Sequence, residues 1–102
     1  MSIYRRAAKR DDNEAAIVDA LRACGCSVQR TSGSGLPDLA IGWRGLNLWA
    51  EVKGEKGKLT PPQEAWHAAW RGAKPFVLRS VKDIPAMLAM AAREVPQWGP
   101  IH

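Results

Sequence analysis

Between residues 12 and 24 the apolar positions Ile17, Val18, Leu21 and Cys24 recur at helical spacing, and Gly25 follows as a stop. The pattern predicts a helix that starts from Asp11 or Asp12, either of which could cap it, and ends near Cys24. A short strand fits residues 27–30, and a loop of small residues, Thr31-Ser32-Gly33-Ser34-Gly35, comes next. Segments 38–43 and 46–53 alternate with the period of two expected of strands and are joined at Arg44-Gly45. A charged, glycine-containing loop at 54–60 leads to a second helix, which opens at Thr60-Pro61-Pro62 and stops near Gly72. Gln63, Trp66, Ala69 and Trp70 share one face of it, while His67 reads as lying off that face and exposed. A strand at 75–80 and a helix at about 84–93 close the pattern. Residues 1–10 read as a loose basic arm and 95–102, with Pro96 and Pro100, as an extended tail. The chain shows no internal repeat, and 102 residues give room for a single domain over 1–102.

Register makes this pattern chemical. In a hairpin closed symmetrically about Arg44-Gly45, Trp43 faces Leu46, and five residues further from the turn Asp38 faces Glu51. Their side chains then share a face, with Cβ atoms roughly 4.5–5.5 Å apart. Lys53, two residues beyond Glu51, shares it too. The opposite face carries Leu39, Ile41 and Trp43 against Ala50, Leu48 and Leu46, all apolar. A one-residue slip would move Asp38 into that set, so the alternation itself selects the register.

Two carboxylates opposite one another repel. A hard divalent cation would offset the cost, because Mg²⁺ takes oxygen ligands and often one or two carboxylates. Asp38 and Glu51 are the candidate ligands, and the Val52 backbone carbonyl could supply a third. Lys53 could position or help deprotonate a water and steady charge on a phosphate. The competing reading is a surface acid pair neutralised by Lys53. Glu14 lies on the stripe of Ile17 and Leu21, where it either points towards the core or complements the helix N-terminus. A cation, carboxylates and a lysine suit phosphodiester hydrolysis by a metal-activated water. No cysteine–histidine or serine–histidine arrangement favours acyl transfer.

Charge adds a polyanionic partner to this picture. The formal net charge is +5, and the positive residues cluster as Arg5, Arg6, Lys9 and Arg10 in the arm and Lys56 and Lys58 beside Lys53. Together with Ser32 and Ser34 of the small-residue loop, they are the candidate nucleic-acid contacts. Cys24 and Cys26 have no second Cys/His pair to make a zinc site and read as reduced thiols. No apolar run approaches the ~20 residues of a membrane span, and no apolar stretch follows the basic N-terminus as in a signal peptide. A cytoplasmic protein is expected. Trp43 should be buried, Trp49 should either wall the site or pack beside it, and Trp66 and Trp70 read as packing.

Gly35-Leu36-Pro37-Asp38-Leu39, Glu51-Val52-Lys53-Gly54 and Leu59-Thr60-Pro61-Pro62-Gln63 resemble the PD-(D/E)XK nuclease superfamily, and within it the VRR-NUC branch. The resemblance covers about residues 12–80. It implies an α/β, restriction-endonuclease-like αβββαβ core with a mixed central sheet flanked by helices. It also implies that Asp38 and Glu51 hold Mg²⁺ or Mn²⁺, that Lys53 assists catalysis, and that Gln63 reaches the site from the next helix. Glu14 matches an acidic residue that many members carry on the first helix and becomes a candidate metal ligand. Small stand-alone members look like phage-type, homodimeric endonucleases acting on branched DNA such as four-way junctions. Two other readings stay open: a nucleic-acid-binding module that does not cut, and a subunit of a replication or repair complex.

Overall fold

The structure, a computed structural model, describes residues 12–94; the arm, Asp11 and the tail lie outside the described residues. Helix α1 spans Glu14–Ala23, β1 Ser27–Arg30, β2 Leu39–Trp43, β3 Leu46–Val52, α2 Pro61–Ala69, β4 Phe76–Leu78 and α3 Ile84–Glu94, with a 3-10 turn at Val81–Asp83. Elements through β4 follow the order αβββαβ, and the fold is restriction-endonuclease-like. The four strands form one sheet in the order β1-β2-β3-β4. β1, β2 and β3 pair antiparallel, whereas β3 and β4 are parallel. A parallel neighbour needs a crossover connection, and α2 is that crossover.

The hairpin register is the one the alternation predicts, with Trp43 opposite Leu46 and Leu39 opposite Ala50. Arg44 and Gly45 take φ of 52° and 82°, which are the two positive angles of a tight turn whose twist matches the strands. Asp38 falls one residue before β2, in a bend outside the strand. Leu39, Ile41, Leu46, Leu48, Ala50 and Val52 alternate onto one buried face, where Val18 and Leu21 of α1 and Ile84 and Met87 of α3 complete the core. Trp43 is half-buried rather than buried, because it ends its strand, and the Arg44 guanidinium lies over its ring.

Several element ends differ from the expectation for identifiable reasons. α1 begins after Asn13, not after an aspartate, and no side chain caps it. The Asn13 amide instead donates to the Lys53 and Arg79 carbonyls, tying the start of the helix to the ends of β3 and β4. α2 stops at Ala69, short of Gly72, where Trp70 turns to extended backbone and Lys74 caps the carbonyls of His67 and Trp70 at 2.8 Å each. β4 keeps only Phe76–Leu78 of the longer strand expected, being an edge strand paired only to β3. Among the described residues no helix is long and apolar enough to cross a membrane.

The loop between β1 and β2 is closed at its neck. The Thr31 amide donates to the Asp38 carbonyl at 2.9 Å, and its hydroxyl donates to the Pro37 carbonyl. This closure carries Gly35 against the first turn of α2. Gly35 has φ of 80°, and a Cβ there would meet the Pro62 carbonyl oxygen at 2.8 Å. Gly35→Ala is therefore expected to cost about 2 kcal/mol or more, from a left-handed backbone plus a backbone clash. Gly54→Ala, where a Cβ meets nothing within 4 Å, should stay within about 0.5 kcal/mol. Urea denaturation of the two variants checks the contrast.

Candidate functional site: a buried acid pair beneath helix α2

The face of β3 opposite the core carries Asn47, Trp49 and Glu51, and α2 crosses the Glu51 end of it. Trp66 and Trp70 of this segment stack at 4.6 Å, and Trp49 meets their rings edge-on at 5.5 and 6.0 Å. The cluster fastens α2 to the sheet although no residue of the helix is fully buried. Packing is thus what Trp49, Trp66 and Trp70 do in the fold, and Trp70 keeps 38% of its surface exposed. Docked this way, the helix turns Gln63 and His67 towards the sheet.

Glu51 sits at the centre with 0% relative exposure. Asp38 lies beside it, held by the Val52 amide, which donates to Asp38 Oδ2 at 2.8 Å. That bond uses a strand N–H just past the last paired residue of β2 and so fixes the acid at the end of the ladder. Gln63 Nε2 donates to Glu51 Oε1 at 3.2 Å. The same side chain accepts from the Thr60 amide through Oε1 at 2.9 Å, completing a reciprocal cap of α2. Helix capping and contact with the acid are therefore done by one glutamine.

His67 corrects the sequence reading. Its Nε2 stands 3.0 Å from Glu51 Oε2, and only 14% of its side chain is exposed. The available signal was spacing: position 67 follows Gln63 by one helical turn and shares its face. Glu14 is also placed differently from a free ligand. It is 3% exposed, and Arg30 Nε pairs with its Oε2 at 2.8 Å. Among the described residues no three carboxylate, histidine or cysteine side chains converge closely enough to share one ion. Glu14 is therefore not brought into a common cluster with Asp38 and Glu51.

The basic loop after β3 is held from β4's side. Arg79 Nη1 donates to the carbonyls of Gly54 at 2.6 Å, Gly57 at 2.7 Å and Glu55 at 3.3 Å. Lys56 and Lys58 in this loop are exposed, as are Ser32 and Ser34 of the loop between β1 and β2, while Lys53 is half-buried. Arg5, Arg6, Lys9 and Arg10 lie outside the described residues.

Electrostatics single out Glu51. Burial, and then the neighbouring Asp38 charge, push its carboxyl up to about 8, with Lys53 pulling weakly the other way. Burial and the Lys74 charge lower His67 below its ordinary value. Asp38 and Glu51 are thus two oxygen donors whose joint ionisation the protein alone disfavours. Such a donor set suits a hard divalent cation, which keeps several waters and uses one or two carboxylates.

No family model and no curated protein matches the chain. Among solved structures it is similar to a chain described as a VRR_NUC domain, at 30% identity and a TM-score of 0.64. The match covers 78% of this chain and 97% of the other. The chain belongs to the VRR-NUC family, and its function is of the nuclease type.

The elevated carboxyl has a measurable consequence for stability. Glu51 keeps its proton in the folded chain up to about pH 8, whereas the unfolded chain releases it near 4.5. Between those values the folded state binds more protons, so its contribution is full below the lower value and is lost as pH rises through the upper one. Without divalent ions, denaturation midpoints should fall from about pH 5 to 8.5. Glu51→Gln, which cannot ionise, should remove most of that slope.

Proposed function

We propose that this chain is a metal-dependent DNA endonuclease that hydrolyses phosphodiester bonds at the Asp38–Glu51 pair. The observation that supports it most is a fully buried glutamate beside a second carboxylate, on the sheet face that does not build the core. Without a cation, folding this pair costs free energy that a surface acid pair would avoid. In the reading proposed here, Asp38 and Glu51 hold Mg²⁺ or Mn²⁺, with the Val52 carbonyl as a further oxygen ligand. Such an ion supplies an activated water and a Lewis acid for the phosphate.

The remaining work falls to the chain's own residues. Lys53 brings a positive charge close enough to act on the Glu51 carboxyl, and it would orient the attacking water and steady charge on the phosphate. Gln63 orients Glu51 through one oxygen. Glu14, paired with Arg30, would support the site from α1 rather than share an ion with both acids in this arrangement. The exposed Lys56, Lys58, Ser32 and Ser34, on the loops that follow Lys53 and precede Asp38, would take neighbouring phosphates, joined by Arg5, Arg6, Lys9 and Arg10 of the arm.

The finer substrate reading, branched DNA such as a four-way junction cut by a homodimer, rests on the resemblance to small stand-alone VRR-NUC proteins. A two-fold pair of sites suits a junction that needs paired cuts.

The test is cleavage of a four-way junction, a flap and a linear duplex with Mg²⁺. Glu51→Ala and Lys53→Ala should each lose at least about a hundredfold in rate, while the junction is cut in preference to the duplex. Wild-type activity in both variants would overturn the assignment. Intact DNA with salt-dependent binding would favour a non-cutting binding module.

A further inference from the structure

Both oxygens of Glu51 are engaged from one helix. Gln63 Nε2 reaches Oε1 at 3.2 Å and His67 Nε2 reaches Oε2 at 3.0 Å, one turn apart on α2. We propose that His67 is a positioning residue of the acid centre, fixing through Glu51 Oε2 the direction in which that carboxylate meets an ion held beside Asp38. The proposal rests on the two-acid reading above and extends it to a residue outside the family motifs.

Three observations carry it. The first is reach without access: Glu51 is completely enclosed, so His67 and Gln63 replace the water that would otherwise solvate its oxygens. An ionised carboxylate offers about four lone-pair sites, so a hydrogen bond to each oxygen leaves both able to take a cation. Chain architecture is the second. His67 belongs to the crossover helix, and its ring meets the Trp66 ring edge-on at 6.2 Å, while its backbone lies at the C-terminal end of α2. There Lys74 binds the His67 carbonyl at 2.8 Å and the Trp70 carbonyl at 2.8 Å. A histidine serving only to fill space needs neither a carboxylate partner nor a tethered backbone. The third is direction. To donate to an ionised Glu51 a neutral imidazole carries its proton on Nε2, which leaves Nδ1 bare. With Glu51 ionised beside a bound ion, the 3.0 Å contact therefore requires the Nε2 tautomer.

Groups that hydrogen-bond to a ligating carboxylate or histidine typically change metal affinity by 10–100-fold when removed. The experiment titrates Mn²⁺ into the full chain by electron paramagnetic resonance of the free aqua ion, comparing wild type, His67→Leu, His67→Gln and Glu51→Ala. Leucine keeps the bulk against the tryptophans and removes the donor; glutamine restores a donor at the distance of Nε2. The expected result is Mn²⁺ affinity weakened about 10–100-fold in His67→Leu and largely recovered in His67→Gln. Alongside it, ¹⁵N shifts of the Mg²⁺-loaded wild type should report a neutral ring protonated on Nε2. Wild-type Mn²⁺ affinity in folded His67→Leu would overturn the positioning role, as would a ring protonated on Nδ1 alone. Should His67→Leu not fold, His67→Gln and the ring tautomer decide: loss of affinity despite the donor, or the other tautomer, rejects the proposal. Identical Mn²⁺ binding in wild type and Glu51→Ala would instead overturn the two-acid reading itself.

Discussion

Enclosing the Glu51 carboxyl beside Asp38 dictates how the hairpin, the crossover helix and the loop after β3 are arranged. A fully buried acid next to another acid is among the costlier placements available to a small domain. The chain meets that cost in parts. Gln63 and His67 supply hydrogen bonds to the two oxygens, Lys53 supplies opposite charge, and retention of a proton lowers the burden further. None of these gives a reason for placing two carboxylates together; the cation proposed above would, and this favours the metal-dependent reading over a structural ion pair.

The sheet divides its labour by face. Alternation sends Leu39, Ile41, Leu46, Leu48, Ala50 and Val52 into a core closed by α1 and α3. Asp38, Trp49 and Glu51 lie on the other side. Because β3 and β4 are parallel, the connection between them must cross the sheet, and it crosses on the acid side. The crossover is anchored by aromatic contacts at its C-terminal half and by a Thr60–Gln63 cap at its start. Two fastenings at opposite ends of a short helix hold the residues between them, Gln63 to His67, over Glu51. Arg79 performs the matching task for the basic loop, binding the carbonyls of Gly54, Glu55 and Gly57 so that the backbone after Lys53 is fixed.

Legibility in the sequence followed the periodicity of each element. The hairpin is readable because period-two alternation and an Arg-Gly turn leave a single register that keeps Leu39 and Ile41 buried; the face of Glu51 follows from it, whereas Asp38 lies one residue outside the ladder, held by the Val52 amide. The N-terminus of α1 is not legible locally, since Asn13 spends its amide on the Lys53 and Arg79 carbonyls, a tertiary demand that no local pattern reveals. His67 is hidden in the sequence for a different reason. Its spacing from Gln63 is one helical turn, but the tryptophans mark the inner face in the pattern, and the observed face is broad enough to include His67 as well. For Glu14 the helical stripe leaves an inward and an N-terminal placement open; it is buried against Arg30 of β1, and pairing across elements depends on how α1 lies on the sheet.

Anomalous diffraction from crystals soaked in Mn²⁺ decides whether Asp38 and Glu51 share a cation. One strong peak is expected within coordination distance of oxygens from both carboxylates, with Glu51 still held by Gln63. An ion bound elsewhere, with the acid pair unliganded and unchanged, would rule out a shared ion.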